Sequence, residues 1–295
     1  MSPVWRVLAF LAACVAIFAV AIGVGRLVGP VATEPAADDH DTGAGMADMT
    51  GDGATHDVGG LEAAAHGYAL VPAQPQLPPG RQTLAFTVTG PDGDPVTAYD
   101  EQHKRDLHLV VVRRDLTGYQ HLHPTLDEHT GRWSVPVGLT PGAWRVLADF
   151  VPAGAEQQVL GADLLVPGDF APEPLGADRL ATTADGYDVT LDGSLEAGAE
   201  TMLTATVTRA GVPIADLQPY LGAYGHLVSL RDGDIGYLHV HPDEAARPGP
   251  EIAFHTEFPT AGRYRLFLDF RHAGKVHTAV FTVSVDATAV GDHDH

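Results

Sequence analysis

The chain has 295 residues, 45% of them hydrophobic, and its 38 acidic against 17 basic side chains give a net charge of −21. This length and hydrophobic content fit two modest domains better than one. The acidic balance argues against nucleic-acid binding, which depends on Lys and Arg contacts with phosphates, and it favours cations. The only cysteine is Cys14, so no intrachain disulfide forms and a metal site in the folded part must use His, Asp, Glu or Met.

An uncharged apolar run begins the chain. It extends from Val7 to Gly25, about enough residues to cross a bilayer core as a helix. We predict that residues 1–30 are an uncleaved signal anchor, giving a single-pass cell-membrane protein whose bulk is extracytoplasmic. The alternatives are a cleaved signal peptide, which would make the protein secreted, and a lipoprotein signal at Cys14. All three place the rest of the chain outside the cytoplasm.

An acidic stretch follows in residues 31–66, with eight acidic residues and no Lys or Arg. Low hydrophobicity and charge of one sign predict a disordered linker. It either spaces the domains from the membrane or gathers metal weakly, since thioether and imidazole groups suit copper. The groups that would do so are His40, Met46, Met49, His56 and His66. A second tail of this kind, residues 287–295, ends in Asp292-His293-Asp294-His295 and is also predicted to be disordered.

The rest of the chain contains two copies of one pattern. His108 recurs as His226, 118 residues later, and Asp149 recurs as Asp269, 120 residues later. So small a drift in the offset indicates a duplicated domain of roughly 100 residues. The boundary falls near residues 167–178, where Pro172 and Pro174 mark a connection.

Both copies consist of short runs rich in Val, Thr, Leu and aromatic residues, separated by Gly and Pro. This pattern predicts an all-β fold with two tandem immunoglobulin-like β-sandwich domains, residues 67–168 and 178–286. The core is predicted to include Trp133, Trp144, Phe254 and Phe267. Seven strands are predicted in the second copy, near residues 187–191, 202–209, 226–230, 236–241, 252–258, 263–270 and 276–285.

Each copy carries a His-x-His-Pro block with another His thirteen residues before it, as His108 stands before His121. Alternate side chains of a strand share a face, so each His-x-His puts two imidazoles on one side. If Asp232-Gly233 is a two-residue hairpin loop, His226 lies directly opposite His239 and shares its face. Three clustered imidazoles suit Zn²⁺ or copper and leave an open position. The predicted ligands of this divalent metal or copper ion are His108, His121, His123, His226, His239 and His241.

Five other residues are weaker candidates. Asp149 and Asp269 sit late in a predicted strand of each copy, where a carboxylate either orients an imidazole or caps a turn. His103 occurs only in the first copy, and His272 and His277 only in the second, so two metal sites need not be equivalent. The structural alternative is that the histidines satisfy buried backbone groups and that Pro after His-x-His ends a strand.

Enzyme motifs are missing from the sequence. There is no Gly-x-Ser-x-Gly, no His-Glu-x-x-His and no phosphate-binding glycine loop. We therefore predict that the protein is not an enzyme.

The string from His103 through His108 to the block 120–124, Gln-His-Leu-His-Pro, resembles a family of exported bacterial proteins. Its members look like membrane-anchored, His-rich β-sandwich proteins that are loosely described as heavy-metal-associated. The resemblance is best over residues 68–168, and the second copy lacks a His at the position of His103. It implies metal association outside the cytoplasm and no particular chemistry.

The sequence thus predicts a membrane-anchored extracytoplasmic metal-binding protein for copper or zinc capture, delivery or sensing. Its expected partners are the metal ion, the membrane and a metal-transport or envelope protein, and not nucleic acid. The alternative is a non-catalytic structural or partner-binding module in which the histidines are structural.

Overall fold

The computed structural model describes residues 58–238, 240–243 and 247–287, which form strands and turns. The predicted signal anchor, linker residues 31–57 and tail residues 288–295 lie outside the described residues. Within the described ranges, no helix is long and apolar enough to span a membrane.

The first copy of the repeat folds into two sheets packed over one core. Its strands are β1 (Ala64–Ala65), β2 (Tyr68–Pro72), β3 (Gly80–Thr89), β4 (Tyr99–Asp100), β5 (Leu107–Arg113), β6 (Gln120–Leu122), β7 (Thr125–Asp127), β8 (Arg132–Leu139), β9 (Gly142–Pro152) and β10 (Gln158–Val166). One sheet has the order β1-β2-β3-β8-β7 and the other β10-β9-β5-β6, with β4 paired to β9. Phe86 and Trp133 from the first sheet meet Trp144 from the second in a shared core, so this copy is a sandwich.

The second copy repeats this arrangement. Its strands are β11 (Ala181–Ala184), β12 (Tyr187–Asp192), β13 (Glu200–Arg209), β14 (Val212–Pro213), β15 (Gly225–Arg231), β16 (Tyr237–Leu238), β17 (His241–Pro242), β18 (Glu251–Glu257), β19 (Gly262–His272) and β20 (Lys275–Val285). The sheets have the orders β11-β12-β13-β18-β17, with β14 paired to β13, and β16-β15-β19-β20. Phe254 from one sheet and Phe281 from the other lie in its core.

Over the described residues the prediction of an all-β fold is confirmed, and each of the seven strands predicted in the second copy overlaps an observed strand. Trp133, Trp144 and Phe254 are buried, as predicted. His255 alternates with buried residues along β18 and is exposed, because successive side chains of a strand point to opposite faces.

The two sandwiches belong to one compact unit and pack against each other through the sheets that contain β5 and β15. In β5, Leu109 and Val111 point into the first sandwich's own core. The alternate residues Val110 and Val112 join a separate cluster with residues of β15. Both faces of β5 are therefore covered, which explains its unbroken apolar run over residues 109–112.

The cluster between the sandwiches is apolar and includes an aromatic stack. Tyr119 of the first sandwich lies 4.0 Å from Phe267 of the second, measured between ring centroids, with the rings nearly parallel. Its buried members are Val110, Val112, Leu116, Leu147, Val228, Leu230, Ile235, Tyr237 and Phe267. Burial of this many apolar side chains stabilises one fixed arrangement of the two sandwiches.

Residues 58–66 differ from the sequence prediction, which places them in the disordered linker. Gly59 exchanges two backbone hydrogen bonds with Tyr237, of 3.0 and 2.9 Å, and Gly60 donates one to Val159. The Arg145 guanidinium donates to the carbonyl oxygens of Gly60 and Leu61, each at 2.7 Å. This segment is held by its backbone, so hydropathy gives no sign of it.

Gly161 makes room for the segment, because a Cβ at this position would overlap the carbonyl oxygen of Gly60. We expect Gly161→Ala to lower the free energy of unfolding by about 1–3 kcal/mol through overpacking, measured by urea denaturation. Gly138→Ala is the matched control, since the nearest atom to its Cβ would be 3.8 Å away. Equal denaturation midpoints for the two variants would show that the segment does not contribute to stability.

Candidate metal centre

The hairpin register places the histidines differently from the sequence prediction. In the first copy Val110 pairs with His121 and Leu109 with Leu122, so the same register aligns His108 with His123. The two-residue shift leaves all three histidines on one face, because side chains alternate with a period of two.

The same correction holds in the second copy, where Leu230 pairs with Tyr237. The prediction that Asp232-Gly233 forms a two-residue hairpin loop is wrong. Ile235 donates its N–H to the carbonyl of Arg231 and takes a positive φ of 61°, so the loop is longer than two residues. The register of β15 and β16 therefore does not place His226 opposite His239.

Three histidines of the first sandwich converge on one spot. The ring centroids of His108, His121 and His123 lie 4.9 to 5.4 Å apart. One nitrogen from each lies within 4.8 Å of the others. Within the described ranges, these three side chains form the one group of His, Cys, Asp or Glu residues that lie close enough together to hold a metal ion.

Hydrogen-bond partners fix which nitrogen of each ring carries the proton. His108 Nε2 lies 3.0 Å from the Gln102 carbonyl oxygen, which only accepts, so Nε2 donates and Nδ1 keeps a lone pair. His121 Nδ1 lies 3.0 Å from Asp269 Oδ2 and donates to it, so in the neutral ring His121 Nε2 keeps a lone pair.

His108 Nδ1 and His121 Nε2 face each other only 3.1 Å apart. Two lone pairs this close repel each other, so the gap holds either a proton on His121 Nε2, which donates to His108, or a metal ion. For metal–nitrogen bonds of ~2.0–2.1 Å, two ligand nitrogens lie about 2.9 Å apart at a right angle and about 3.3 Å apart at a tetrahedral angle. In addition, His123 Nε2 is buried and has no hydrogen-bond partner in the described part of the chain. The arrangement matches the requirements of a bound metal.

The electrostatic surroundings keep His108 and His123 neutral. Burial, followed by repulsion from His121, lowers the pKa of His108 to about 4. The same two causes lower the pKa of His123 to about 3. Because a protonated imidazole cannot bind a metal, both rings are in the ligand form at neutral pH.

The second sandwich supplies the carboxylate that orients His121. Asp269 is 3% exposed and accepts from His121, from Thr278 Oγ1 at 2.5 Å and from the Tyr119 hydroxyl at 3.4 Å. A carboxylate on the outer nitrogen fixes the ring's tautomer and makes the inner nitrogen a better ligand. The predicted orienting role of Asp269 thus has a geometric basis, but across the interface between the sandwiches.

Asp149 occupies the corresponding place in the first sandwich. It accepts from the Tyr237 hydroxyl of the second sandwich at 3.1 Å and from Gln157 Nε2 at 2.7 Å. Burial raises the pKa of Tyr119 and Tyr237 well above its ordinary value, so both phenols stay protonated donors. Sequence reasoning missed the two tyrosines, although each stands two residues before the first His of a His-x-His block.

His226 lies beside the cluster of the first sandwich rather than in a separate place. Its ring centroid is 6.1 Å from that of His121 and 6.3 Å from that of His108. Its Nε2 donates to the Tyr220 carbonyl at 2.8 Å, as His108 does to Gln102, so Nδ1 keeps a lone pair. His239 lies outside the described residues, and for His241 only the backbone is described.

The other weaker candidates divide into two groups. His103 lies near the cluster, with its ring centroid 6.0 Å from His108 and 5.5 Å from His226. His272 instead bonds to the Tyr187 hydroxyl at 2.7 Å and to Asp216 at 3.1 Å. His277 bonds to Asp185 at 2.8 Å and packs against Tyr187. His272 and His277 therefore have other partners and are not part of the three-histidine group.

The lowered pKa values of His108 and His123 predict an acid-sensitive fold. The unfolded chain binds these protons near the ordinary pKa of 6.5, whereas the folded chain binds them only near 4 and 3. Stability is therefore complete above about pH 6.5 and falls as the pH is lowered towards 4. We expect the urea midpoint of the metal-free protein to decrease over this window, and to decrease less in His123→Asn. A wild-type midpoint that is constant from pH 6.5 to 4.5 would contradict this expectation.

The profile of a family described as Domain of unknown function (DUF8832) matches residues 63–161 and 182–287. The chain belongs to the DUF8832 family. The two matches cover the two sandwiches, so the chain holds two DUF8832 domains. No curated protein matches the chain at a significant level.

Several solved structures are similar to parts of the chain. A mutant Salmonella alpha-2-macroglobulin matches at 13% identity and a TM-score of 0.25, over 78% of this chain and 15% of that one. An I-band fragment of titin matches at 12% identity and 0.19, over 75% and 64%. The N-terminal Ig1-2 module of a Drosophila receptor protein tyrosine phosphatase matches at 8% identity and 0.21, over 75% and 98%. TM-scores of this size establish no shared function.

Proposed function

We propose that this protein is a membrane-anchored extracytoplasmic metal-binding protein that holds a copper or zinc ion with His108, His121 and His123. The observation that carries the proposal is the convergence of the three rings: one nitrogen of each lies within 4.8 Å of the others, and His108 Nδ1 lies 3.1 Å from His121 Nε2. The buried and unpartnered Nε2 of His123 supplies the third donor. The extracytoplasmic location rests on the apolar run from Val7 to Gly25.

The donor set favours particular ions. Three neutral imidazoles suit Zn²⁺ and Cu²⁺, and they leave at least one coordination position open. An open position allows exchange with a donor or acceptor protein, which fits capture, delivery or sensing better than a closed structural site. We propose no catalytic step, because no general base accompanies the histidines in the sequence.

We further propose that each sandwich is immunoglobulin-like. Strands β2, β3, β8 and β7 form one sheet and β5, β9 and β10 the other. This division corresponds to the ABED and CFG sheets of that fold.

A structural module is the second candidate, and it also has a supporting observation. His108 and His226 each tie down a loop by donating to a carbonyl, at 3.0 and 2.8 Å. Holding the loop in this way uses only the Nε2 atom of His108 and of His226. It gives no reason for the third ring, His123, to turn towards the same spot with a buried Nε2 that has no hydrogen-bond partner among the described residues, which is why we favour metal binding.

Thermal unfolding of the full chain with zinc, copper or nickel distinguishes the two candidates. An ion bound only by the folded state raises the melting temperature, whereas an ion bound equally by the folded and unfolded states, as we expect for tails predicted to be disordered, does not. We expect a rise that increases with metal concentration and is absent in the double variant His121→Ala, His123→Ala. A melting temperature that none of the three metals changes would favour the structural module.

A further inference from the structure

The packing of the two sandwiches creates two equivalent grooves at opposite edges of their interface. The first groove lies between Tyr237 of the second sandwich and Leu147, Val159 and Arg145 of the first. It is filled by the backbone of residues 58–62. The filling segment pairs with Tyr237 on one side and with β10 on the other, through Gly60 and Val159 and through Glu62 and Gly161.

The second groove is built from the corresponding residues with the sandwiches exchanged. Tyr119 takes the place of Tyr237, Phe267 that of Leu147, Thr278 that of Val159 and Arg265 that of Arg145. It is a cavity of about 330 Å³ with a mainly apolar wall. Its lining residues are Leu116, Thr117, Gly118, Tyr119, Arg265, Phe267, Thr278 and Val280.

Polar groups in this second groove lack the partners that their counterparts have. Arg145 Nε and Nη2 donate to carbonyl oxygens of the filling segment, whereas the buried Arg265 Nε has no hydrogen-bond partner among the described residues. Tyr119 makes no backbone pair like that of Tyr237 with Gly59 in the described part of the chain. No described residue bonds to the outer backbone edge of β20 at Thr278 or Val280.

The chain's own connection between the sandwiches does not fill the groove because it follows another route. It leaves β10 after Val166 and is held by Asp115, which accepts from the N–H of Glu173 at 2.9 Å. It then reaches β20 further along, where Arg179 donates to the Thr282 carbonyl. Residues 58–62 are free of this restriction, since they precede the first sandwich.

The two grooves differ at one residue that limits how closely a bound backbone can approach the neighbouring strand. Val280 stands where the first groove has Gly161, as the pairings of Phe267 with Val280 and of Leu147 with Gly161 show. A side chain at this position would overlap the carbonyl of Gly60 in the first groove. A strand in the second groove must therefore lie further from β20, which favours a reversible contact over a permanent one.

We propose that the second groove binds an extended peptide segment of a partner protein, which pairs with Tyr119 and offers a carbonyl or carboxylate oxygen to Arg265. This is strand addition to an open sheet edge, in which main-chain hydrogen bonds and side-chain pockets share the recognition. A partner protein is favoured over a second copy, because two chains of net charge −21 repel each other.

The groove also reaches the histidine cluster. Tyr119 and Thr278 line the groove, and both donate to Asp269, which in turn holds His121. A segment in the groove therefore lies next to the carboxylate that orients a proposed metal ligand. The docking itself does not require a metal ion.

A peptide probe tests the proposal on the full-length protein. The probe is a fluorescein-labelled peptide with the sequence of residues 57–63, Asp-Val-Gly-Gly-Leu-Glu-Ala, and binding is followed by fluorescence anisotropy. We expect saturable binding to the wild type and tighter binding to Val280→Gly, which makes the second groove like the first. Arg265→Gln should raise the dissociation constant about tenfold, since it removes a charged hydrogen-bond donor.

Arg263→Gln is the matched control, because it removes the same charge from the same strand but outside the groove, and it should leave the constant unchanged. Absence of saturable binding to both the wild type and Val280→Gly overturns the proposal, as do equal constants for the two arginine variants. Light scattering tests whether a second copy of the chain, rather than a partner protein, occupies the groove. A wild-type dimer that Val280→Trp converts to a monomer would identify a second copy as the occupant and overturn the partner-protein assignment.

Discussion

Asp269→Asn should weaken metal binding about 10- to 100-fold, the usual effect of removing a carboxylate that orients a metal-bound histidine. The expected result is specific to this structure because Asp269 belongs to the second sandwich, whereas the three proposed ligands belong to the first. Asparagine keeps the size of the side chain but removes the charge that holds the proton on His121 Nδ1, at 3.0 Å. Isothermal titration with zinc measures the change.

Asp216→Asn is the control for Asp269→Asn. Asp216 also contacts a histidine, His272 at 3.1 Å, but its side chain is 84% exposed and it is not part of the cluster. It should leave zinc affinity unchanged. If the two variants bind zinc as tightly as the wild type, the orienting role of Asp269 is wrong.

Phe267→Ala should lower the free energy of unfolding by ~3–5 kcal/mol and also reduce metal binding. Phe267 is 2% exposed and lies in the cluster between the sandwiches, stacked on Tyr119. Loss of the ring leaves a cavity at the interface and frees Tyr119, which donates to Asp269. Urea denaturation and zinc titration of the same variant measure the two effects.

Phe254→Ala separates general destabilisation from a specific effect on the interface. Phe254 is fully buried, but in the second sandwich's own core. The loss of stability should be similar, and zinc affinity at 10 °C, where both variants remain folded, should change only in Phe267→Ala. Equal zinc affinities for the two variants would indicate that the interface does not support the metal site.

Much of each sandwich could be predicted because it follows from local patterns. Alternation along β18, for example, separates buried Phe254 from exposed His255, and a period of two is sufficient to assign their faces. The repeat at an offset of 118 residues likewise places His108 and His226 at equivalent points. His-x-His spacing then puts His121 and His123 on one face in any register that keeps the strand extended.

Other features depended on contacts that no local pattern encodes. The hairpin register was predicted from Asp232-Gly233, but Ile235 adopts the left-handed conformation and lengthens the loop. The packing of the sandwiches also escaped prediction, although the unbroken apolar run of β5 is typical of a strand buried on both faces. As a consequence, the pairing of His121 with Asp269, 148 residues away, could not be found from the sequence.

X-ray absorption at the zinc edge, on the full chain loaded with one equivalent of zinc, shows which atoms surround the ion. We expect nitrogen neighbours at ~2.0–2.1 Å with the outer-shell scattering of about three imidazole rings. This imidazole scattering should drop in the double variant His121→Ala, His123→Ala. A spectrum of oxygen neighbours alone, or one that the double variant leaves unchanged, would contradict the account.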